Sequence, residues 1–231
     1  MQRLDQFLSE AGAAPRKEAR KLVRAGRITI NGQGAVTADR KIDPQADRVC
    51  LDGAPVAASR MTTLLLYKPA GYVTSTDDPR DKTVMELIPE PYRRQGVVPA
   101  GRLDKETEGL LLLTNDGALN HRITAPRHGV RKRYYAEHTG QAGEADVAAF
   151  RDGLTLRDGT VCLPALLHPL GPGQSEIEVR EGKYHQVRRM MASRGLTVTY
   201  LRREKEGELT LDGLTPGRFR ELTEAENKAL W

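Results

Sequence analysis

The sequence has little cysteine: Cys50 and Cys162 are the only two in 231 residues. They lie far apart, and no further Cys or His stands near them at the spacing of a metal site, which argues against a disulfide framework and against a zinc site. Isolated free thiols are typical of proteins in a reducing compartment. We therefore expect buried or incidental thiols and no bound metal.

Long hydrophobic runs are also missing. No apolar stretch approaches the length of a transmembrane helix, and the N-terminal residues lack the apolar core of a signal peptide. We expect a cytoplasmic protein that has no membrane partner.

Charge is only slightly unbalanced, with 36 Lys and Arg against 31 Asp and Glu, but its distribution is uneven. Residues 120–135 contain five basic residues and no acid, and residues 180–205 contain eight basic residues against two acidic ones. A single basic run is usually a solvated surface. Several runs favour a polyanionic partner, because each Lys or Arg that meets a phosphate releases a condensed counterion.

Two short helices are predicted near the start of the chain. Residues 2–11 carry apolar side chains at helical spacing, and Pro15 opens a second helix whose apolar stripe runs from Ala19 to Val23. Like charges one turn apart destabilise an isolated helix, and a phosphate backbone would neutralise them. A solvated basic helix is the alternative. The basic residues that we expect to contact RNA are Arg16, Lys17, Arg20, Lys21, Arg24 and Arg27.

Residues 27–32 alternate in polarity and end in Asn-Gly, the signal of a β-hairpin. Two short helices followed by a small hairpin sheet resemble an S4 RNA-binding domain. The small residues of segment 54–59 predict a linker. The expected domains are therefore an S4 domain of αL type at 1–58 and a second domain at 59–231.

The second domain mixes strands and helices without βαβ regularity, which predicts an α+β fold with a mixed, largely antiparallel sheet. A helical turn is expected at 83–87. Strands are predicted at 63–67, 110–113, 133–138, 160–167 and 175–180, and helices at 144–151, at 183–194 and after the capping box Thr223–Glu226.

Segment 99–117 is the centre of this domain. Asp104 stands on a polar loop beside Arg102 and Thr107, just before the apolar run 110–113. A polar loop fixed to a buried strand is a common place for chemistry. The residues alone fit an ordinary surface turn equally well.

The run Gly101-Arg102-Leu103-Asp104-x-x-Thr107-x-Gly109-Leu110 resembles the catalytic motif of the pseudouridine synthases, in the branch that contains the ribosomal small-subunit enzyme. Blocks at 67–79, 121–128, 132–134 and 182–190 are similar to that branch in the same order. The reaction breaks the N-glycosidic bond of uridine, turns the base and joins C5 to C1′. It involves neither redox change nor net addition of water, so we expect no cofactor.

The resemblance implies that Asp104 is the catalytic carboxylate, attacking C1′, attacking C6 or acting through a glycal. A carboxylate in a closed pocket tends to take up a proton, and an opposed cation keeps it ionised. The resemblance assigns that cation to Arg188. Arg189 is the alternative, since neighbouring helical positions point about 100° apart, and is otherwise an RNA contact.

The same resemblance assigns roles to a tyrosine and to a further arginine. Tyr134 matches the tyrosine that stacks on the target base, with Tyr135 as the alternative on the opposite face of the strand. Arg102 matches the residue that fills the gap left by the extruded nucleotide. Lys68 and Lys132 are candidate phosphate contacts. The histidines at 121, 128 and 185 are expected to be structural or to contact phosphate.

We expect an enzyme that isomerises a uridine of 16S rRNA, acting as a monomer on the small subunit or its assembly intermediate. The preference for 16S rests on segment 121–128, and 23S rRNA is the alternative. A non-catalytic RNA-binding assembly protein is a second possibility. A glycoside hydrolase pairing Asp104 with Glu106 or Glu108 is a third, but it leaves the basic segments unexplained.

Overall fold

A computed structural model describes residues 1–44, 46–57 and 60–231, apart from the side chain of Pro126. The chain forms two compact units, the first comprising residues 1–61 and 89–97 and the second comprising residues 62–88 and 98–231. The predicted boundary between residues 58 and 59 lies outside the described residues.

The described residues of the first unit form two short antiparallel sheets and three helices. Their elements are β1 (Gln2–Arg3), α1 (Leu4–Glu10), α2 (Arg16–Arg24), β2 (Ile28–Ile30), β3 (Gln33–Gly34), β4 (Lys41–Ile42), β5 (Val49–Leu51), β6 (Ala54–Pro55) and α3 (Glu90–Arg94). One sheet pairs β1 with β4, and the other has the strand order β3-β2-β5-β6.

The helices of this unit form where their apolar stripes can be buried. Helices this short are marginal in water, so tertiary packing of one face supplies most of their stability. Residues 54 and 55, predicted as linker, pair with β5 instead. The core that α1, α2 and β2 share contains Leu4, Phe7, Leu8, Ala19, Leu22, Val23, Ile28 and Ile30.

The second unit is built on one nine-stranded sheet. Val84–Leu87 and Pro126–His128 form short 3₁₀ turns, which are not numbered with the helices and strands. The elements are β7 (Thr63–Lys68), β8 (Val98–Ala100), β9 (Glu108–Thr114), α4 (Gly117–Thr124), β10 (Lys132–His138), α5 (Glu144–Asp152), β11 (Leu166–Gly171), β12 (Gln174–Val179), α6 (Gln186–Ser193), β13 (Val198–Glu206), β14 (Leu209–Thr210), β15 (Phe219–Glu221) and α7 (Glu224–Ala229).

The sheet has the order β11-β12-β10-β13-β9-β7-β15, with β14 on β13 and β8 on β9. Neighbours are antiparallel except β13 and β9, which run parallel with Arg202 opposite Glu108 and Arg203 opposite Gly109. The leucines at 110–113 are fully buried, as expected of a strand covered on both faces. The predicted α+β class with a mixed, largely antiparallel sheet is confirmed.

Two predicted elements of the second unit differ from the structure. The strand expected at 160–167 begins only at Leu166, because residues before it turn and form a single bridge between Thr155 and Val161. Helix α6 begins three residues later than predicted, since His185 adopts a left-handed conformation with φ 47°. Within the described ranges no helix is long and apolar enough to cross a membrane.

Candidate active site

Loop 101–107 joins β8 to β9 and carries Asp104. Thr74 clamps this loop from the side, since its hydroxyl donates to Leu103 O at 2.8 Å and accepts from Leu103 N–H at 3.1 Å. Within the loop, Thr107 N–H donates to Asp104 O at 3.0 Å. Thr107 therefore braces the loop through its backbone, and Asp104 sits on a loop that is fixed on two sides.

Lys68 ties the same loop to the end of β7. Its ammonium donates to the carbonyl oxygens of Pro69 at 3.0 Å, Lys105 at 3.0 Å and Thr107 at 2.8 Å. The side chain is fully buried, and burial lowers the pKa of Lys68 to about 8. The suggestion that Lys68 contacts phosphate is therefore wrong in this structure, because its donors already face backbone carbonyls.

Gly109 permits the parallel contact between β9 and β13. It has a φ of 107°, and a Cβ placed there would lie 2.2 Å from Arg203 O. Only glycine fits both this backbone conformation and this approach. The motif glycine thus lets the strand behind the Asp104 loop pack directly against the strand that carries Arg203.

A cavity of about 380 Å³ opens beside Asp104. Its lining combines the loop, the face of β10 and the start of α6, so it brings together Asp104, Tyr134 and Arg188 from three separate sequence blocks. Arg102 is exposed at the same cavity. The volume of the cavity lies within the range of small-molecule sites, about 300–1,000 Å³.

Among the described residues, the basic side chain within 4.0 Å of Asp104 is a histidine. His185 Nε2 lies 3.5 Å from Asp104 Oδ1. The side chain of His185 is 40% exposed, and that of Asp104 is 35% exposed. Arg188 instead donates to Val198 O at 3.1 Å. The expected pairing of Asp104 with Arg188 is not among the ion pairs of 4.0 Å or less in the described part of the chain, although both residues line one cavity.

The structure distinguishes the neighbouring residues that the sequence left as alternatives for the active site. Arg189 points away from this cavity and pairs with Asp158 at 2.6 Å. Tyr135 lies on the other face of β10 and packs edge-on against Tyr200. Of each neighbouring pair, the residue predicted for the active site, Tyr134 or Arg188, lines the cavity with Asp104.

Tyr134 is 8% exposed and is backed by buried charges. Burial raises the pKa of its phenol above that of an exposed tyrosine, although the adjacent Arg203 guanidinium acts in the opposite direction. Arg203 Nη2 lies 3.2 Å from Glu206, and Lys132 Nζ lies 3.4 Å from the same carboxylate. These buried charged groups lie next to Tyr134.

Lys132, which was predicted to contact RNA, is largely buried. Its side chain is only 13% exposed and faces Glu206, and it also donates to Val130 O at 3.2 Å. Burial lowers the pKa of this ammonium. Lys132 compensates a buried carboxylate and is not presented to a phosphate.

The basic residues of α2 have the exposure that RNA contacts need. Only Ala19, Leu22 and Val23 of this helix are buried. Arg20 also lies 3.7 Å from Asp5, and Arg27, beyond the helix end, is paired with Asp52. Exposed along the helix are Arg16, Lys17, Arg20, Lys21 and Arg24.

Sequence reasoning missed several contacts at this site. It gave His185 no role beside Asp104, and it did not single out Tyr184, which lines the cavity, or Glu181. Glu181 is a second carboxylate there, but it is buried and accepts from Leu163 N–H and Gln186 Nε2 at 2.9 Å each. The orientation of His185 has no signal in the sequence.

Comparisons with known proteins give the family of the chain. The profile of the RNA pseudouridylate synthase family matches residues 62–193, and that of the S4 domain matches residues 2–44. The ribosomal small subunit pseudouridine synthase A of Escherichia coli is 39% identical over 227 residues, covering 97% of each chain. An uncharacterised RNA pseudouridine synthase of Bacillus subtilis is 38% identical, covering 97% of this chain and 96% of its own.

A solved structure described as a pseudouridylate synthase also superposes on the chain. It covers 100% of both chains with a TM-score of 0.72 and 34% identity. Sequence, fold and the gathering of three motif residues in one cavity therefore point the same way. The chain belongs to the RNA pseudouridine synthase family and carries an S4 domain at its N-terminus.

Proposed function

We propose that this protein converts a specific uridine of 16S rRNA to pseudouridine, acting in the cytoplasm as a monomer and without a cofactor. The observation that supports it best is the cavity in which Asp104, Tyr134 and Arg188 meet. These are the reactive positions of the family motif, and they come from distant parts of the sequence.

Each of the three residues has a role that fits its surroundings. Asp104 supplies the carboxylate that attacks or stabilises the electron-poor centre of the nucleotide. Arg188 supplies a guanidinium, which stays charged in a closed pocket, and His185 orients the carboxylate from 3.5 Å. Substrate entry excludes water from the cavity and strengthens these interactions.

Tyr134 provides a flat surface for the uracil. An enzyme that acts on a base within folded RNA must first extrude the nucleotide, and an aromatic ring in the pocket then stacks on it. Because burial raises the pKa of the phenol, Tyr134 is protonated at neutral pH and can donate a hydrogen bond. Arg102, exposed at the cavity, fills the space that the nucleotide leaves.

The choice of small-subunit rRNA rests on the relatives. The proteins of Escherichia coli and Vibrio parahaemolyticus that are named ribosomal small subunit pseudouridine synthase A are 39% and 37% identical to this chain over nearly its whole length. Either the small subunit or its assembly intermediate would present the uridine. The exposed basic face of α2 would hold the rRNA backbone through phosphate contacts.

Mapping pseudouridine in rRNA from cells with and without this protein tests the proposal. We expect one site in 16S rRNA to revert to uridine in the cells that lack it, and to return when the gene is restored. Loss of a 23S site instead would overturn the substrate assignment. Unchanged maps of both rRNAs would overturn the proposed function.

A further inference from the structure

Tyr184 is unusually exposed for an aromatic residue beside an active site. Its side chain is 75% exposed, although one face of the ring is covered by His185, with ring centroids 4.0 Å apart and planes inclined by 14°. A ring has two faces, so the exposure lies on the second face and the edge. That face has the area and polarity on which a nucleobase stacks.

Tyr184 forms a wall shared by two cavities. It lines the cavity that holds Asp104, and it also lines a neighbouring cavity of about 630 Å³. None of the residues to which we assign a catalytic role lines the second cavity. The rest of its lining is Leu156, Arg157, Asp158, Arg189, Ala192 and Ser193.

The lining of the second cavity combines an aromatic ring with an excess of positive charge. Arg157 is exposed there, while Arg189 is held by Asp158 at 2.6 Å. One guanidinium is thus balanced by a carboxylate and the other is offered to solvent, which leaves the cavity net positive. An aromatic surface for the base and a cation for the phosphate are the two parts from which single-strand binding sites are built.

We propose that a nucleotide next to the target uridine binds in this second cavity, with its base stacked on the open face of Tyr184 and its phosphate near Arg157. The inference rests on the proposed function, which places the uridine itself beside Asp104. One phosphodiester links the two nucleotides, so adjacent cavities that share Tyr184 in their linings match the connectivity of the strand. Contacts to flanking nucleotides are a common source of sequence context in enzymes that extrude a base.

A double-mutant cycle between protein and RNA tests this proposal. The protein is wild type, Tyr184→Leu or Tyr184→Phe, and the RNA is a synthetic rRNA fragment around the mapped uridine, either intact or abasic at one flanking position. We expect one abasic position to weaken wild-type binding by roughly 5- to 150-fold, the range for loss of one base–aromatic stack. Tyr184→Leu should lose a similar factor on intact RNA and nothing more on that abasic RNA. Tyr184→Phe should behave as wild type.

The controls separate this role from a structural one. Trp231→Leu removes an aromatic ring that is 57% exposed at the C-terminus and should leave binding unchanged. If Tyr184 acted only by supporting His185, the Leu variant would slow pseudouridine formation equally on intact and abasic RNA, and the stacking site would be overturned. The stacking site would also be overturned if the loss caused by Tyr184→Leu multiplied the loss caused by an abasic nucleotide at every flanking position.

Failure of the proposed function would look different. If the wild-type protein formed no pseudouridine in the intact fragment, both the function and the stacking site would be overturned. If it formed pseudouridine while the cycle showed no coupling at either neighbour, only the stacking site would be overturned.

Discussion

Lys68 shows how a single buried cation can control a reactive loop from outside the cavity. Its three hydrogen bonds to carbonyl oxygens fix the loop that carries Asp104. Lys68→Met keeps the length of the side chain and removes the donors. We expect kcat for pseudouridine formation to fall by about 10- to 100-fold with little change in KM, since small misplacement of a reacting group has costs of this size. Lys82→Met, at an exposed lysine nearby, should leave both constants unchanged.

The same lysine predicts a pH dependence of stability. Its pKa is about 8 in the folded protein against 10.5 for an exposed lysine. Between these values the unfolded chain binds more protons, so the contribution of Lys68 to stability rises as pH increases from about 8 to 10.5. We expect urea titrations at pH 7.5 and pH 10 to show that the free energy of unfolding of the wild type rises with pH by about 1–3 kcal/mol more than that of Lys68→Met. An equal pH response in both proteins would contradict the assignment.

Gly109 carries a prediction about packing. A methyl group there would lie 2.2 Å from Arg203 O, at a φ of 107° that other residues rarely adopt. Backbone strain and overpacking each cost about 1–3 kcal/mol, so Gly109→Ala should lower the free energy of unfolding by about 2–6 kcal/mol. Gly117→Ala has nothing within 4 Å of the added methyl group and lies in α4. It should be neutral or slightly stabilising in the same urea titration.

At the scale of an element, α2 is a basic helix with one buried stripe. Each phosphate contact contributes about 0.7–0.9 to the slope of log K against log salt. The double variant Arg20→Ala and Arg24→Ala should therefore weaken RNA binding and reduce the slope by about 1.5. Arg151→Ala combined with Lys228→Ala, at exposed residues paired with Asp152 and Glu224, should leave the slope nearly unchanged. A full slope in the α2 variant would rule out this face as the contact surface.

Elements with a clean apolar pattern could be predicted from the sequence, and those with buried polar groups could not. Helix α1 and strand β9 follow from periodicity and from the leucine run. Strand β13 was missed because its buried side contains Arg203 and Glu206 as well as Leu201, which breaks the alternation of apolar and polar residues. Helix α4 was missed because Asn115-Asp116-Gly117, a sequence typical of a turn, stands where the helix begins. Asp116 caps the helix there by accepting from two backbone N–H groups.

At the scale of the whole molecule, motif resemblance predicted which residues gather but not how they touch. Asp104, Tyr134 and Arg188 could be named in advance because each lies in a distinct block. The contact of His185 with Asp104 could not, since it depends on the left-handed backbone at the start of α6. The same holds for Lys132, whose burial against Glu206 follows from the register of β10 with β13.

The measurement that tests the central claim most directly is pseudouridine formation by Asp104→Asn. This substitution keeps the size of the side chain and removes its charge. We predict that the variant binds the 16S rRNA substrate with wild-type affinity and forms no detectable pseudouridine. Pseudouridine formed at a rate near that of the wild type would contradict the claim that Asp104 carries the reaction.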